Sequence, residues 1–225
     1  MKHTEIIFVI DKSGSMAHLV GDTIGGFNGF IESQKALDGK ATLTTVLFDT
    51  TWKMLHDGVD LHEVKPMTTA DYIACGGTAM LDAIGEVINK VQDRHDELGA
   101  EKPENILFVI TTDGEENSSR KFTKSQIEKM IKHQTNGHNW KFMFLGANMD
   151  AVKEAESIGI SKDWSANYAY TAQGTSAAYA TMDFMASSIR SMDGLDSAIS
   201  LSSVYADALS STTAESDISI STTLS

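Results

Sequence analysis

Two runs of apolar residues, each ending at an aspartate, dominate the pattern of hydrophobic and polar positions. The first run covers residues 6–10 and stops at Asp11, and the second lies within residues 105–112 and stops at Asp113. A short apolar run without alternation is typical of a strand that is buried on both faces of a parallel sheet. Because open α/β sheets bind ligands at the carboxyl ends of their strands, the sequence predicts that both aspartates lie at one edge of one sheet.

The segments between and after these runs alternate between helical and extended patterns. In residues 78–98 the apolar positions recur every three or four residues, which predicts an amphipathic helix. Further helices are predicted at residues 17–37, 124–134, 150–158 and 175–190. Strands are predicted at residues 41–48, 51–55, 140–145 and 165–170, and a loop is predicted at residues 59–74. The expected fold is therefore doubly wound α/β: a mostly parallel central sheet, one antiparallel edge strand, and helices on both faces.

The last part of the chain has a different composition. Residues 194–225 are rich in Ser and Thr and contain acidic residues but no Lys or Arg. Such a composition is typical of a solvated segment that buries too little apolar surface to fold. We therefore predict a domain at residues 1–193, which includes a C-terminal helix at residues 175–190, followed by a flexible Ser/Thr-rich acidic tail. Scattered apolar residues leave open that part of this tail docks as a strand or helix.

The overall composition limits the classes of partner. The chain has 225 residues, which suffices for one α/β domain with a full core. Its 31 acidic residues outnumber its 18 Lys and Arg residues, the formal net charge is −13, and the basic residues form no block. These charges argue against a nucleic-acid partner and are compatible with the binding of cations. No apolar stretch approaches the length of a membrane span, so no membrane partner is expected.

The single cysteine bears on compartment and on metal chemistry. One thiol, Cys75, excludes an intrachain disulfide and a zinc site built from cysteines. The apolar run before Asp11 is too short for the hydrophobic region of a signal peptide. A cytoplasmic location is therefore expected. Cys75 itself is interpreted as a buried or incidental cysteine rather than as a reactive thiol.

Three polar loops are expected to meet at the carboxyl edge of the sheet. The first contains Asp11, Ser13 and Ser15, the second contains Thr78 after two glycines, and the third begins at Asp113. Carboxylate and hydroxyl oxygens are hard donors, which suit Mg²⁺ in octahedral coordination. The plainer alternative for the first loop is a polar turn that caps the following helix.

Together these loops resemble the metal-ion-dependent adhesion site of von Willebrand factor A domains. That family has Asp-x-Ser-x-Ser after the first strand, a Thr in a middle loop, and Asp-Gly after the fourth strand. The matching residues here are Asp11, Ser13, Ser15, Thr78 and Asp113. A lone Asp-x-Ser-x-Ser run is a modest signal, but three motifs in the expected order within an α/β pattern form a strong one.

The resemblance implies a function as well as a fold. It implies that the five matching residues bind Mg²⁺ or Mn²⁺, that an Asp or Glu of a partner protein completes the coordination, and that the domain is an adaptor rather than an enzyme. Bacterial relatives often act as adaptors for ATPases, chelatases, or kinase and stress-resistance systems, so an ATPase or a kinase is the expected partner. A Mg²⁺ ion held mainly by neutral hydroxyls keeps much of its charge and attracts a further anion. Lys12, between the matching residues, is expected to weaken metal binding slightly.

The same residues allow other interpretations. A Mg²⁺-dependent phosphohydrolase with Asp11 as nucleophile needs a second acid two residues further on, and Ser13 stands there. A regulatory component of a bacterial kinase/phosphatase or ATPase stress-response system would use the Ser/Thr tail as a phosphorylation substrate. Glu115 and Glu116 are interpreted as a solvated loop rather than as a second cation site. His18 is the histidine closest to the first loop.

Overall fold

Strands and helices alternate along the chain in the order that the sequence pattern predicts. The computed structural model describes residues 2–191 and 200–222, with side chains up to residue 211 in the last helix. The strands are β1 (Thr4–Asp11), β2 (Ala41–Phe48), β3 (Trp52–Asp60), β4 (Asn105–Thr112), β5 (Trp140–Gly146) and β6 (Ser165–Asn167). The α-helices are α1 (Val20–Lys35), α2 (Met80–Leu98), α3 (Lys124–His138), α4 (Ala151–Ser157), α5 (Ala172–Ser191) and α6 (Leu201–Thr222).

The six strands form one sheet in the order β3-β2-β1-β4-β5-β6. Strand β3 runs antiparallel to β2, and all other neighbouring strands are parallel. The predicted fold class, including the antiparallel edge strand, is therefore confirmed. The strand order reverses between β1 and β4, which pair in register from Thr4↔Asn105 to Ile10↔Thr111. Asp11 and Thr112 consequently end their strands at the same level, where such sheets have their ligand crevice.

The hydrophobic core lies on both faces of the sheet, because alternate residues of each buried strand point to opposite sides. On one face Phe8 packs edge-on against Phe27 and Phe30 of α1, with ring centroids 5.7 and 5.0 Å apart. On the other face Ile7 and Val9 pack with the apolar residues of α2 and α3. All five side chains are at most 3% exposed. Burial on both faces explains why the strand sequences are continuously apolar.

Some element boundaries differ from the sequence-based prediction. Strand β3 continues to Asp60, although residues 59–74 were predicted as a loop. The second half of β3 is polar. It stays paired with β2 because the register shifts beside Thr45 and because Gly58 adopts a φ of 61°. Such irregular pairing leaves no period-two signal in the sequence. A short 3-10 helix, Gly14–Leu19, occupies the start of the segment predicted as the first helix.

The segment predicted as a tail contains helix α6. Its first turns pack against α5 and β6, with Leu201 fully buried and Tyr205 8% exposed. The sequence left open whether part of this segment docks as a strand or helix, and the described residues dock as a helix. The predicted boundary at residue 193 falls in the stretch 192–199, outside the described residues, so the division into domain and tail stays a prediction. None of the helices in the described part of the chain has the length and apolar content to cross a membrane.

Candidate metal centre

Asp11 is held rigidly at the end of β1. Its side chain is fully buried, and its Oδ1 accepts a hydrogen bond of 2.6 Å from the backbone N–H of Ser13. Its Oδ2 accepts one of 2.6 Å from the hydroxyl of Thr112, and the hydroxyl of Tyr72 donates to the Asp11 carbonyl. Burial raises the pKa of Asp11 to about 6; the hydrogen bonds from Thr112 and Ser13 oppose this rise, and the charge of Asp113 adds to it.

Two serine hydroxyls of the first loop converge on Asp113. The Ser15 hydroxyl donates to Asp113 Oδ1 at 2.7 Å, and the Ser13 hydroxyl lies 3.5 Å from the same oxygen. The two hydroxyls are 3.0 Å apart. Asp113 Oδ2 is buried and has no hydrogen-bond partner among the described residues. An unpartnered buried carboxylate oxygen is costly in a folded protein, so this atom indicates a missing cationic or donor ligand.

Thr78 lies in the loop before α2 and is 3% exposed. A Cβ built on Gly114 would be 3.9 Å from Thr78 Oγ1, which shows that the Thr78 hydroxyl faces the turn after Asp113. Asn117 fixes this loop: its side-chain oxygen accepts from the Thr78 N–H at 3.0 Å, and its own N–H donates to the Thr78 carbonyl at 3.0 Å. The structure therefore brings all five predicted ligand residues to one crevice at the carboxyl edge of the sheet.

The two glycines before Thr78 allow the loops to approach each other. Gly76 has a φ of +71°, and its carbonyl accepts a hydrogen bond of 3.1 Å from the Gly14 N–H. A Cβ on Gly77 would lie 2.3 Å from the Ser118 hydroxyl. A Cβ on Gly76 would lie 2.7 Å from the Thr50 hydroxyl. Side chains at these two positions would therefore push the second loop away from the loop after β2 and from the third loop.

Lys12 does not face the crevice as a free cation. Its ammonium group forms an ion pair with the carboxylate of Asp49, which also accepts from the Cys75 thiol at 3.4 Å. Burial opposes ionisation of Asp49, but hydrogen bonds from Lys12 and Thr51 outweigh it and lower the pKa of this carboxyl. Cys75 is exposed beside the crevice. Of the two interpretations of this cysteine, buried or incidental, burial is therefore wrong.

Glu116 has a structural role that the sequence did not reveal. Its carboxylate accepts hydrogen bonds from the backbone N–H groups of Leu81, Ser118 and Ser119 at 2.7–2.9 Å. The interpretation of Glu116 as part of a solvated loop is therefore wrong, because Glu116 satisfies the free N–H of Leu81 at the start of α2 and two N–H groups of its own loop. Glu115 is exposed, as predicted.

Tyr170 borders the crevice, although it belongs to none of the three loop motifs. The hydroxyl of Tyr170 donates to the carbonyl of Ser15. Burial and then the nearby Asp113 carboxylate raise the pKa of Tyr170. His18 contacts the edge of the Tyr170 ring, with centroids 6.5 Å apart. An aromatic residue shortly after a strand was the only sequence signal for Tyr170, and many core residues share that signal.

The donor set fits a hard divalent cation. In the described part of the chain, no three His, Cys, Asp or Glu side chains form a cluster that could hold a metal ion. The crevice instead offers two carboxylates and three hydroxyls: Asp11, Ser13, Ser15, Thr78 and Asp113. Oxygen donors of this kind suit Mg²⁺ or Mn²⁺ better than Zn²⁺, which prefers nitrogen and sulfur.

Proteins of known structure share this fold. The von Willebrand factor domain of Mfa5, a type V pili tip protein from Porphyromonas gingivalis, matches with a TM-score of 0.62 and 9% sequence identity, covering 87% of this chain and 98% of that chain. Manganese-loaded TRAP from Plasmodium vivax matches with a TM-score of 0.53 and 17% identity, covering 75% of this chain and 69% of that chain. The chain therefore has a von Willebrand factor A-like α/β fold.

A third match is proximal thread matrix protein 1 from the mussel byssus, in a structure with a zinc-occupied MIDAS motif. Its TM-score is 0.57 at 15% identity, and the match covers 82% of this chain. The chain spans about half of the mussel protein, 46% of its length. At these identities the similarity shows the fold alone. No protein-family model matches the sequence, and no curated protein matches it.

Proposed function

We propose that this protein is a metal-dependent protein-binding module. In this proposal Mg²⁺ or Mn²⁺ binds in the crevice formed by Asp11, Ser13, Ser15, Thr78 and Asp113, and an Asp or Glu of a partner protein completes the coordination. The observation that carries the proposal is the convergence of the Ser13 and Ser15 hydroxyls on Asp113, whose second oxygen is buried without a partner among the described residues.

Each residue has a defined task in this proposal. Asp113 and the hydroxyls of Ser13, Ser15 and Thr78 supply oxygen donors, while Asp11 orients the first loop through the Ser13 N–H. A bound divalent ion supplies a positive charge that attracts a carboxylate from outside. Ser15 is exposed, whereas Ser13, Thr78 and Asp113 are at most 3% exposed, so such a group would approach from the side of Ser15. Because Lys12 forms an ion pair with Asp49, its positive charge next to the metal is compensated.

The fold comparisons support this function by analogy. Two of the similar structures carry a metal, manganese in one and zinc at a MIDAS motif in the other. The chain shares only the fold with them, so the metal and the partner are proposed here from the chain's own donors. Fold alone does not define function, because one fold serves many sites.

Calorimetric titration of the protein with Mg²⁺ and Mn²⁺ tests the metal site. We expect binding by the wild type and its loss in Ser13→Ala and Asp113→Asn. Asp11→Ala is a less specific test, because it also removes the acceptor of two buried hydrogen bonds. The control is Asp38→Asn, an exposed acid in the loop before β2, at the opposite edge of the sheet. Equal Mg²⁺ affinity in all variants would contradict the proposal.

Affinity capture with the immobilised wild type tests the partner. We expect partner binding in Mg²⁺, loss of the complex in EDTA, and no complex with Asp113→Asn in either buffer. The expected partner presents an exposed Asp or Glu, and an ATPase or a kinase is the class that the sequence resemblance implies. A complex that persists in EDTA would show that the metal is not the docking point.

The two alternative functions differ in how the structure bears on them. A phosphohydrolase would need a free Asp11 oxygen as nucleophile, but both oxygens accept short hydrogen bonds and the side chain is fully buried. The role of the Ser/Thr tail as a kinase substrate stays a prediction. In α6 the Ser203 hydroxyl donates to the carbonyl of Ser200, just before the helix, and the Ser211 hydroxyl donates to the carbonyl of Asp207. Intact-mass measurement after incubation with cellular kinases tests this role.

The proposal includes the cytoplasmic setting that the single thiol favours. An exposed cysteine beside a functional crevice stays reduced in the cytoplasm, where glutathione and thioredoxin maintain thiols. Cell fractionation followed by detection with an antibody tests this location. Recovery of the protein outside the cytoplasm would contradict it.

A further inference from the structure

Tyr170 connects the metal centre to the C-terminal part of the chain. It lies between β6 and α5, and its hydroxyl donates to the carbonyl oxygen of Ser15. Ser15 belongs to the loop after β1 that carries two of the five candidate ligand residues. The hydrogen bond therefore acts on the backbone of that loop and leaves the Ser15 hydroxyl free to donate to Asp113 at 2.7 Å.

The backbone that carries Tyr170 is itself fixed on three sides. The N–H of Tyr168 donates to the carbonyl of Gly146 at 2.9 Å, which continues the pairing of β5 and β6. The N–H of Ala169 donates to the hydroxyl of Tyr205 at 2.9 Å. A Cβ built on Gly174 would lie 2.0 Å from the Ala169 carbonyl oxygen, so the first turn of α5 closes directly over this segment. The position of the Tyr170 ring follows from these contacts.

Tyr205 supplies one of these contacts from helix α6. Its side chain is 8% exposed and belongs to the hydrophobic core next to Leu201. The Ser202 hydroxyl donates to the carbonyl of Ser165 at 3.1 Å, so α6 is anchored at both ends of β6. Tyr205 thus accepts a hydrogen bond from a backbone N–H that the sheet does not use, and this bond is partly buried.

We propose that Tyr170 and Tyr205 are positioning residues of the metal centre. Tyr205 fixes the backbone at Ala169, and Tyr170 then holds the Ser15 carbonyl, so that the Ser13 and Ser15 hydroxyls face Asp113. Mg²⁺ requires near-ideal octahedral geometry, and residues that orient its ligands influence affinity strongly. This inference rests on the proposed function. It extends that function, because docking of α6 becomes a condition for tight metal binding.

Metal affinity of conservative variants tests the inference. Mn²⁺ alone serves as the probe, and free Mn²⁺ is measured by electron paramagnetic resonance. Tyr170→Phe and Tyr205→Phe each keep the ring and remove one hydroxyl, and we expect roughly three- to tenfold weaker Mn²⁺ binding in each. Because the two hydrogen bonds act in series, the double variant should be no weaker than the more affected single variant. Ser203→Ala, which removes an exposed hydroxyl of α6, is the matched control and should bind like the wild type.

A second measurement examines the loop without metal. Amide hydrogen exchange of Gly14, whose N–H bonds the Gly76 carbonyl, is followed by NMR in EDTA. We expect faster exchange in both tyrosine variants and no change in Ser203→Ala. Unchanged Gly14 exchange, or Mn²⁺ losses that add in the double variant, would overturn the positioning role. A wild type that binds no Mn²⁺ would overturn the proposed function. The exchange of Gly14, which is measured without metal, would then still test whether α6 is coupled to the loop after β1.

Discussion

Lys12 and Asp49 form an ion pair at the rim of the candidate metal crevice. The side chains are only 13% and 9% exposed, and the Asp49 carboxylate is further bonded by Thr51 and Cys75. The pair joins the loop after β1 to the loop after β2. It explains how a lysine is tolerated between residues that are expected to bind a divalent cation.

The first prediction concerns this ion pair. Asp49→Asn keeps Oδ1 as the acceptor for Thr51 but removes the charge that neutralises Lys12. We expect Mg²⁺ binding to weaken roughly two- to tenfold at low ionic strength, because the ammonium then repels the metal, and less so at high salt. Isothermal titration calorimetry at two salt concentrations measures the effect. Adding Lys12→Gln should restore affinity, and a double variant as weak as Asp49→Asn would refute this explanation.

The second prediction concerns stability and the metal. Asp113→Asn removes one of two close carboxylates, so in EDTA its melting temperature should equal or exceed that of the wild type. In Mg²⁺ at a hundredfold excess over the dissociation constant, the wild type should gain about 2.7 kcal/mol and the variant nothing. Differential scanning calorimetry in both buffers measures these values. An equal metal-induced shift in both proteins would place the metal elsewhere.

The third prediction compares two neighbouring glycines of α1. A Cβ on Gly26 would lie 2.3 Å from the ring of Tyr179 on α5, whereas a Cβ on Gly25 would meet no atom within 4 Å. Gly26→Ala should therefore destabilise the fold by about 1–3 kcal/mol, because the two helices must separate. Gly25→Ala should stabilise it by about 0.5–1 kcal/mol through helix propensity. Urea denaturation measures both, and equal effects would show that α1 and α5 do not pack this closely.

The fourth prediction concerns the buried Glu5 at the other end of β1. Its carboxylate accepts from His95 at 2.7 Å and from Thr44 at 2.6 Å, and it forms an ion pair with Arg94. Burial opposes ionisation, but the hydrogen bond from His95 and the charge of Arg94 outweigh it, so the pKa of Glu5 lies below its ordinary value of 4.5. A lowered folded-state pKa stabilises the fold above pH 4.5, and this contribution is lost as the pH falls through the folded-state value.

Glu5→Gln tests this network. We expect the unfolding free energy at pH 7 to fall by about 2–3 kcal/mol. This loss is smaller than for a fully buried ion pair, because Arg94 is partly exposed. The difference from the wild type should shrink below pH 4.5. Urea titrations between pH 3 and 7 measure it, with the exposed Glu63→Gln as control. A pH-independent difference would mean that the Glu5 charge does not contribute.

Short-range pattern was enough for the sheet and for the candidate ligands. The apolar runs of β1 and β4 are buried on both faces, and such runs are continuous in sequence. Parallel pairing then brings their carboxyl ends together, so the sequence alone places Asp11 and Asp113 at one edge of the sheet. Ser13 and Ser15 follow β1 directly, and the resemblance of the three loops to a metal-ion-dependent adhesion site added Thr78.

Contacts between distant segments determined the remaining features. Lys12 reaches Asp49, Glu116 reaches the N–H of Leu81, and Tyr170 reaches Ser15 across the crevice. Each contact joins loops whose separation in space depends on the whole sheet, and no local period or motif encodes it. The same holds for α6, whose few apolar residues predict no helix alone. Leu201 and Tyr205 are buried because α5 and β6 already present a surface for them. Local patterns of burial therefore determined the strands and the candidate ligands, whereas tertiary packing decided how those ligands are held.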